Sequence, residues 1–223
     1  MQTRSKNTRV DDAYDRLKFE ITHSKLPPGS QSPEPDIAER LGMSRTPVRE
    51  ALIRLEADGL VNLVPRRGVR VPGVTAQDLV EVYDILGALE PIAISKLAER
   101  TIASKDLEKL EDHIRDMDQA LARSDLDGWA QAEDGFYRLL LALSGNRRLE
   151  KIVLGLHDQV RRGRMVLLRL RGVPVATVQN YRDILAAIVS GDGAGAFRQS
   201  HACRQRTLET FCELFRTSQL SQI

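Results

Sequence analysis

The chain has 223 residues, enough for two small domains, and 42% of them are hydrophobic while only 4% are aromatic, so any core must be packed from aliphatic side chains. The formal net charge of +2 is too small to argue for a nucleic-acid partner. Residues 1–73 nevertheless hold thirteen Lys and Arg against ten Asp and Glu, a basic excess that the remainder of the chain lacks.

Residues 1–9 are polar and basic, with Arg4, Lys6 and Arg9, and read as a disordered arm. The first thirty residues are polar and charged and contain no apolar h-region, so no signal peptide is expected. A first helix fits Asp12–Ser24, with Tyr14, Leu17 and Ile21 on one face. Leu26-Pro-Pro-Gly29 ends it, and a second helix fits Pro33–Leu41 with Gly42 as its stop. Ser44 can cap a third helix over Arg45–Asp58, where Val48, Ala51, Leu52 and Leu55 recur at helical spacing and Pro47 sits in the first turn. Leu60–Val64 and Val69–Val71 are β-prone runs around a Pro65-Arg-Arg-Gly68 turn. Residues 10–73 therefore read as a winged helix-turn-helix.

Pro72-Gly73 marks a boundary. Thr75 with Asp78 makes a capping box for a long helix to about Arg100. Further helices fit Lys105–Ala122, Asp127–Ser144, Arg147–Arg171, Val175–Ser190 and Asp192–Arg216. Residues 74–223 thus read as an all-α, six-helix antiparallel bundle, and the fold class is mostly α. No run is apolar enough to cross a bilayer, so no membrane partner is expected. The two cysteines, Cys203 and Cys212, would stand roughly 13 Å apart on a helix, too far for a disulfide. Reduced thiols suit the cytoplasm.

The third helix exposes Arg45, Thr46 and Arg49 opposite its apolar stripe. Arg45 and Arg49 are one turn apart and can both enter a major groove, each contacting guanine bidentately. Arg66 and Arg67 put charge on the wing, and Gly68 allows close backbone approach. Arginines spaced by four are weak evidence alone, but the order of elements is specific. Leu26-Pro-Pro-Gly-Ser30, Ile37 to Leu52, Leu55-Glu-Ala-Asp-Gly-Leu-Val61 and Arg67-Gly68 together resemble the DNA-binding domain of the GntR family. The resemblance implies a double-stranded operator bound by a homodimer, with Ser44, Arg45, Thr46, Arg49, Arg66, Arg67 and Gly68 at the DNA. Pro35 replaces an arginine that touches DNA in some members.

The helical half is similar to the FCD ligand-binding domain of the FadR subgroup, in its VanR-like branch. Leu89-Glu-Pro91, Phe136-Tyr137, Ser144-Gly-Asn146 and Ile184 to Asp192 carry that likeness. Many members bind a metal there through one Asp and three His, and those positions fall on Glu133, Tyr137, Tyr181 and His201. A phenol with a pKa of about 10 is a poor ligand near neutral pH, so the family's metal site reads as degenerate and no cofactor is expected. The same four residues become candidates to hold a small polar metabolite, with Glu133 favouring a ligand that carries donors. Leu86 stands where many members have an effector-pairing arginine, which one from the Val160–Arg171 segment could replace. His113 and His157 have no matching partners, and Trp129 reads as packing. The resemblance implies a ligand-responsive transcription regulator, of repressor type; the alternative is a regulator whose helical domain only dimerises. No nucleophile–base pair or complete metal set suggests an enzyme, and no aromatic platform near the basic helix suggests RNA binding.

Overall fold

The computed structural model describes residues 8–23, 25–172, 177–218 and 222. The chain divides into two compact units, one built by residues up to Val74 and one over Thr75–Ser221.

In the first unit, α1 (Arg9–Thr22) begins three residues earlier than its apolar face suggests, because Thr8 and Asp11 form a capping box at its start. Thr8 and Arg9 are therefore not part of an arm; residues 1–7 and Ser24 lie outside the described residues. β1 (Gln31–Ser32) is followed by α2 (Glu34–Leu41), which stops at Gly42 in the left-handed region, φ +67°. The chain then turns directly into α3 (Arg45–Ala57). The wing is the hairpin β2 (Asn62–Val64) and β3 (Gly68–Arg70), and β1 adds antiparallel to β3, giving the order β1-β3-β2. Leu17, Ile21, Ile37, Val48, Leu52 and Leu55 meet in an aliphatic core. Polar contacts tie α1 to α3: the Tyr14 hydroxyl donates to Asp58, and Arg54 pairs with Asp11 at 2.9 Å while lying over the Tyr14 ring.

The second unit contains α4 (Ala76–Ala98), α5 (Ser104–Ala122), α6 (Leu126–Ser144), α7 (Arg147–Arg171), α8 (Thr177–Val189) and α9 (Gly193–Ser218). The Thr75–Asp78 capping box opens α4. The Val175 start expected for α8 lies outside the described residues. The core of this unit joins Ile94, Leu110, Met117, Phe136, Leu140, Tyr181 and Ile184 from α4, α5, α6 and α8 with Leu168 of α7 and Cys203 of α9. Both cysteines are free and lie on α9, Cys203 buried and Cys212 half-buried.

Candidate functional site

Helix α3 turns Val48, Ala51, Leu52 and Leu55 into the core, which leaves Arg45, Thr46, Arg49 and Glu50 exposed on the other side. Ser44 occupies the N-cap with extended backbone, yet its side chain makes no capping bond. Thr8, Thr75, Asp125 and Asn146 all accept such a bond at their own helices. The first-turn N–H groups of α3 are thus left without that side-chain acceptor, at the end of the helix that attracts anions.

The wing turn carries Arg66 and Arg67, both exposed. Arg66 adopts φ +64°, a left-handed conformation that side-chain-bearing residues disfavour. Gly68 has an internal reason to be glycine: at φ +86° a Cβ there would stand 2.2 Å from the Ser32 carbonyl oxygen and 2.6 Å from Pro33 Cα. Its small size therefore serves the packing of β3 against β1, independently of any approach to DNA.

The four bundle positions do not converge on one point. Glu133 and Tyr181 meet directly: the Tyr181 hydroxyl donates to one carboxylate oxygen, and the Arg164 guanidinium of α7 donates to the other. Tyr137 is buried beside them, packed edge-on to Tyr181, with the Arg204 guanidinium 4.1 Å from its ring centre and its hydroxyl 4.0 Å from Cys203 Sγ. His201 faces another way. Its Nδ1 lies 2.9 Å from the Gly87 carbonyl oxygen in α4. A proline at 91 has no N–H to return to that carbonyl four residues back, so Pro91 opens an acceptor inside the helix and His201 fills it. A carbonyl only accepts, so Nδ1 carries the proton.

His157 has a partner after all, Glu90, on a helix 67 residues away in sequence. Burial alone would raise the Glu90 carboxyl, but the Arg204 guanidinium and His157 outweigh it and hold the carboxyl at about 2, against an ordinary value near 4.5. Arg204 also donates to the second oxygen. A sign of this cluster exists in the sequence: Glu90 falls on the stripe of Tyr83, Leu86, Gly87 and Ile94, and an acid on an apolar face requires a buried cation. Its partners, far off in amphipathic helices, read as solvated. His113 packs over Gly135, where an added Cβ would meet its ring at 2.4 Å.

Between α6, α7, α8 and α9 lies a cavity of about 200 Å³. Glu133 and Tyr181 line it, together with Trp129, Arg164, Leu168, Phe211 and Arg206, whereas Tyr137 and His201 do not. Leu86 is fully buried and outside it, and Arg164 supplies the guanidinium. Glu133 is already paired with a guanidinium, burial pushes both phenols well above their ordinary range, and burial also raises the Cys203 thiol. Among the described residues no three metal-ligating side chains cluster.

With this geometry in view, the comparisons are consistent at every level. The profile of bacterial regulatory proteins of the gntR family matches residues 9–71, and that of the FCD domain matches residues 81–210. An uncharacterized HTH-type transcriptional regulator of Agrobacterium vitis is 40% identical over 136 residues, covering 60% of this chain and 80% of that one. The HTH-type transcriptional repressor RspR of Escherichia coli K12 is 27% identical, covering 81% and 78%. The solved structure of E. coli McbR/YncC superposes with a TM-score of 0.81 at 25% identity, covering 95% of this chain and 99% of that one. The chain belongs to the GntR family of transcription regulators and carries an FCD domain. Its relatives and fold neighbours are regulators, not enzymes. Among the described residues no helix is long and apolar enough to cross a membrane.

Proposed function

We propose that the chain is a repressor that binds a palindromic operator as a homodimer in the cytoplasm, and that a small polar metabolite in the helical unit sets its affinity for DNA. The observation that carries the DNA part is the exposed face of α3, where Arg45 and Arg49 stand one turn apart beside an N-terminus that Ser44 does not cap. In this reading Arg45 and Arg49 take base edges, Ser44 and Thr46 the adjoining phosphates, and Arg66, Arg67 and Gly68 the backbone beside the wing. The cavity supports the effector part, and exposed Ile85 and Ile92, seven residues apart on α4, support association of the helical units.

An operator selected from random DNA tests the placement. Arg49→Ala is expected to cost about 1–3 kcal/mol and to relax base preference at one position of each half-site. Unchanged affinity and preference in that variant would remove α3 from the groove. The full chain is expected to sediment as a dimer at micromolar concentration; a monomer there contradicts the assembly. Protein purified without chelators is expected to hold far less than one metal per chain by elemental analysis, and stoichiometric zinc or nickel that disappears in His201→Ala would restore the family's metal site.

A further inference from the structure

We propose that Glu56 and Gln31 are positioning residues for DNA binding: they clamp the wing from both edges of its sheet, so that its arginines and those of α3 meet DNA as one rigid surface. This rests on the placement of the wing at DNA given above and adds what holds the wing there. Glu56 lies exposed in the last turn of α3, where an acid meets the negative end of the helix dipole. What it gains at that unfavourable place is a bond to the wing: the Leu63 N–H donates to its carboxylate at 2.6 Å. β2 is an edge strand, in the order β1-β3-β2, and Leu63 is its middle residue. The recognition helix and the near edge of the wing are therefore joined by a side chain as well as by the connection between them.

Gln31 acts at the far edge. It belongs to β1, stands opposite Arg70 of β3, and its side-chain amide donates to the Arg67 carbonyl at 3.1 Å. Arg67 follows Arg66 in the turn between β2 and β3, and its own N–H closes that turn onto the Val64 carbonyl at 3.0 Å. The tip is thus held through its N–H from within the hairpin and through its carbonyl from outside it. The Glu56 and Gln31 bonds are both exposed. Water replaces such bonds in the unfolded chain, so they add little to folding. What they restrict is the pose of the hairpin against α3. A hairpin alone is marginally ordered, and ordering it before DNA arrives lowers the entropy that binding must supply. Loss of either bond should therefore appear in DNA affinity rather than in stability.

The sign of the effect separates this role from plain electrostatics. Removing an acid from a DNA-binding unit strengthens its attraction to a polyanion. Glu56→Ala is nevertheless expected to weaken binding of the full-length protein to the operator selected from random DNA, by about threefold to tenfold, because the Leu63 N–H loses its acceptor. Glu56→Gln keeps an acceptor oxygen and is expected to bind at least as tightly as the wild type. Gln31→Ala changes no charge and is expected to weaken binding about threefold; it carries the same test should Glu56→Ala fail to fold. In both alanine variants the slope of log affinity against log salt should shrink although no cation has been removed, and thermal midpoints should stay within about 3 °C of the wild type. In an Arg66→Ala/Arg67→Ala background, Glu56→Ala should weaken binding no further. Two results would overturn the clamp: Glu56→Ala binding as tightly as Glu56→Gln, or Glu56→Ala losing as much affinity without the wing arginines as with them. A loss of affinity in Arg66→Ala/Arg67→Ala with none in either alanine variant also defeats the clamp but leaves the wing at DNA. No loss in the arginine variant itself takes the wing off DNA, and the clamp falls with it.

Discussion

Among its described residues the N-terminal unit builds an aliphatic core from Ala13 to Val71 and buries a single polar side chain, Thr22, whose hydroxyl is satisfied by its own helix. The helical unit instead closes over Glu90, Glu133, His157 and Arg204. The first keeps its arginines on the surface, where they cost no desolvation and remain available to a polyanion. The second desolvates its charges and pairs them within the chain, Glu90 with Arg204 and Glu133 with Arg164, beside a cavity. Charge changes in the two units should therefore act on different quantities: binding in the first, stability in the second.

The largest test of that contrast is Glu90→Gln. It leaves Arg204 buried beside a neutral amide, and losing one partner of a buried pair typically costs about 3–5 kcal/mol. Chemical unfolding followed by circular dichroism measures it; a loss below 1 kcal/mol would mean that the cluster is solvated. The same group gives a pH dependence. The folded carboxyl, at about 2, lies below its ordinary value near 4.5, so its contribution is complete above pH 4.5 and disappears as pH falls toward 2. The wild type should lose stability over that window, and Glu90→Gln should lose less of it.

The fold was legible in the sequence wherever structure is local. Gly145 and Gly172 bracket α7, and Thr75 with Asp78 marks the start of α4. β1 was not, because Gln31 and Ser32 form a strand only through pairing with Arg70 and Val69. The surface residues of α3 follow from the apolar stripe that they oppose. The cavity follows from no such rule. Family positions pointed to Glu133 and Tyr181, but Arg164 and Trp129, which also line it, sit in segments whose periodicity reads equally well as packing or solvated charge. His201 shares a family position with them and has a different task, visible only once Pro91 and the last helix are adjacent.

That task makes a smaller, sharper test. His201→Ala should cost about 1–2 kcal/mol by leaving the Gly87 carbonyl unpaired. In a Pro91→Ala background the helix regains its own donor to that carbonyl, and the same histidine substitution should then cost less. Equal costs in both backgrounds would show that His201 does not answer the proline.

The smallest effect lies in the wing, where stability and binding should move in opposite directions. Arg66 holds φ +64° at the tip of the β2–β3 turn, a conformation costing a non-glycine residue roughly 1–2 kcal/mol. Its side chain is exposed, so nothing within the unit recovers that cost. Arg66→Gly removes the strain but adds chain entropy to the unfolded state, which leaves a net gain of about 0.5–1 kcal/mol at most. The substitution also deletes a cation from the proposed DNA face. Affinity should then fall similarly for operator and non-operator DNA, and the slope of log affinity against log salt should shrink by about one unit. A gain in melting temperature together with that shallower slope is the expected pair of results. If Arg66→Gly instead changed base preference while leaving the slope intact, the wing would be reading sequence, and the division between specifying residues on α3 and charge on the wing would fail.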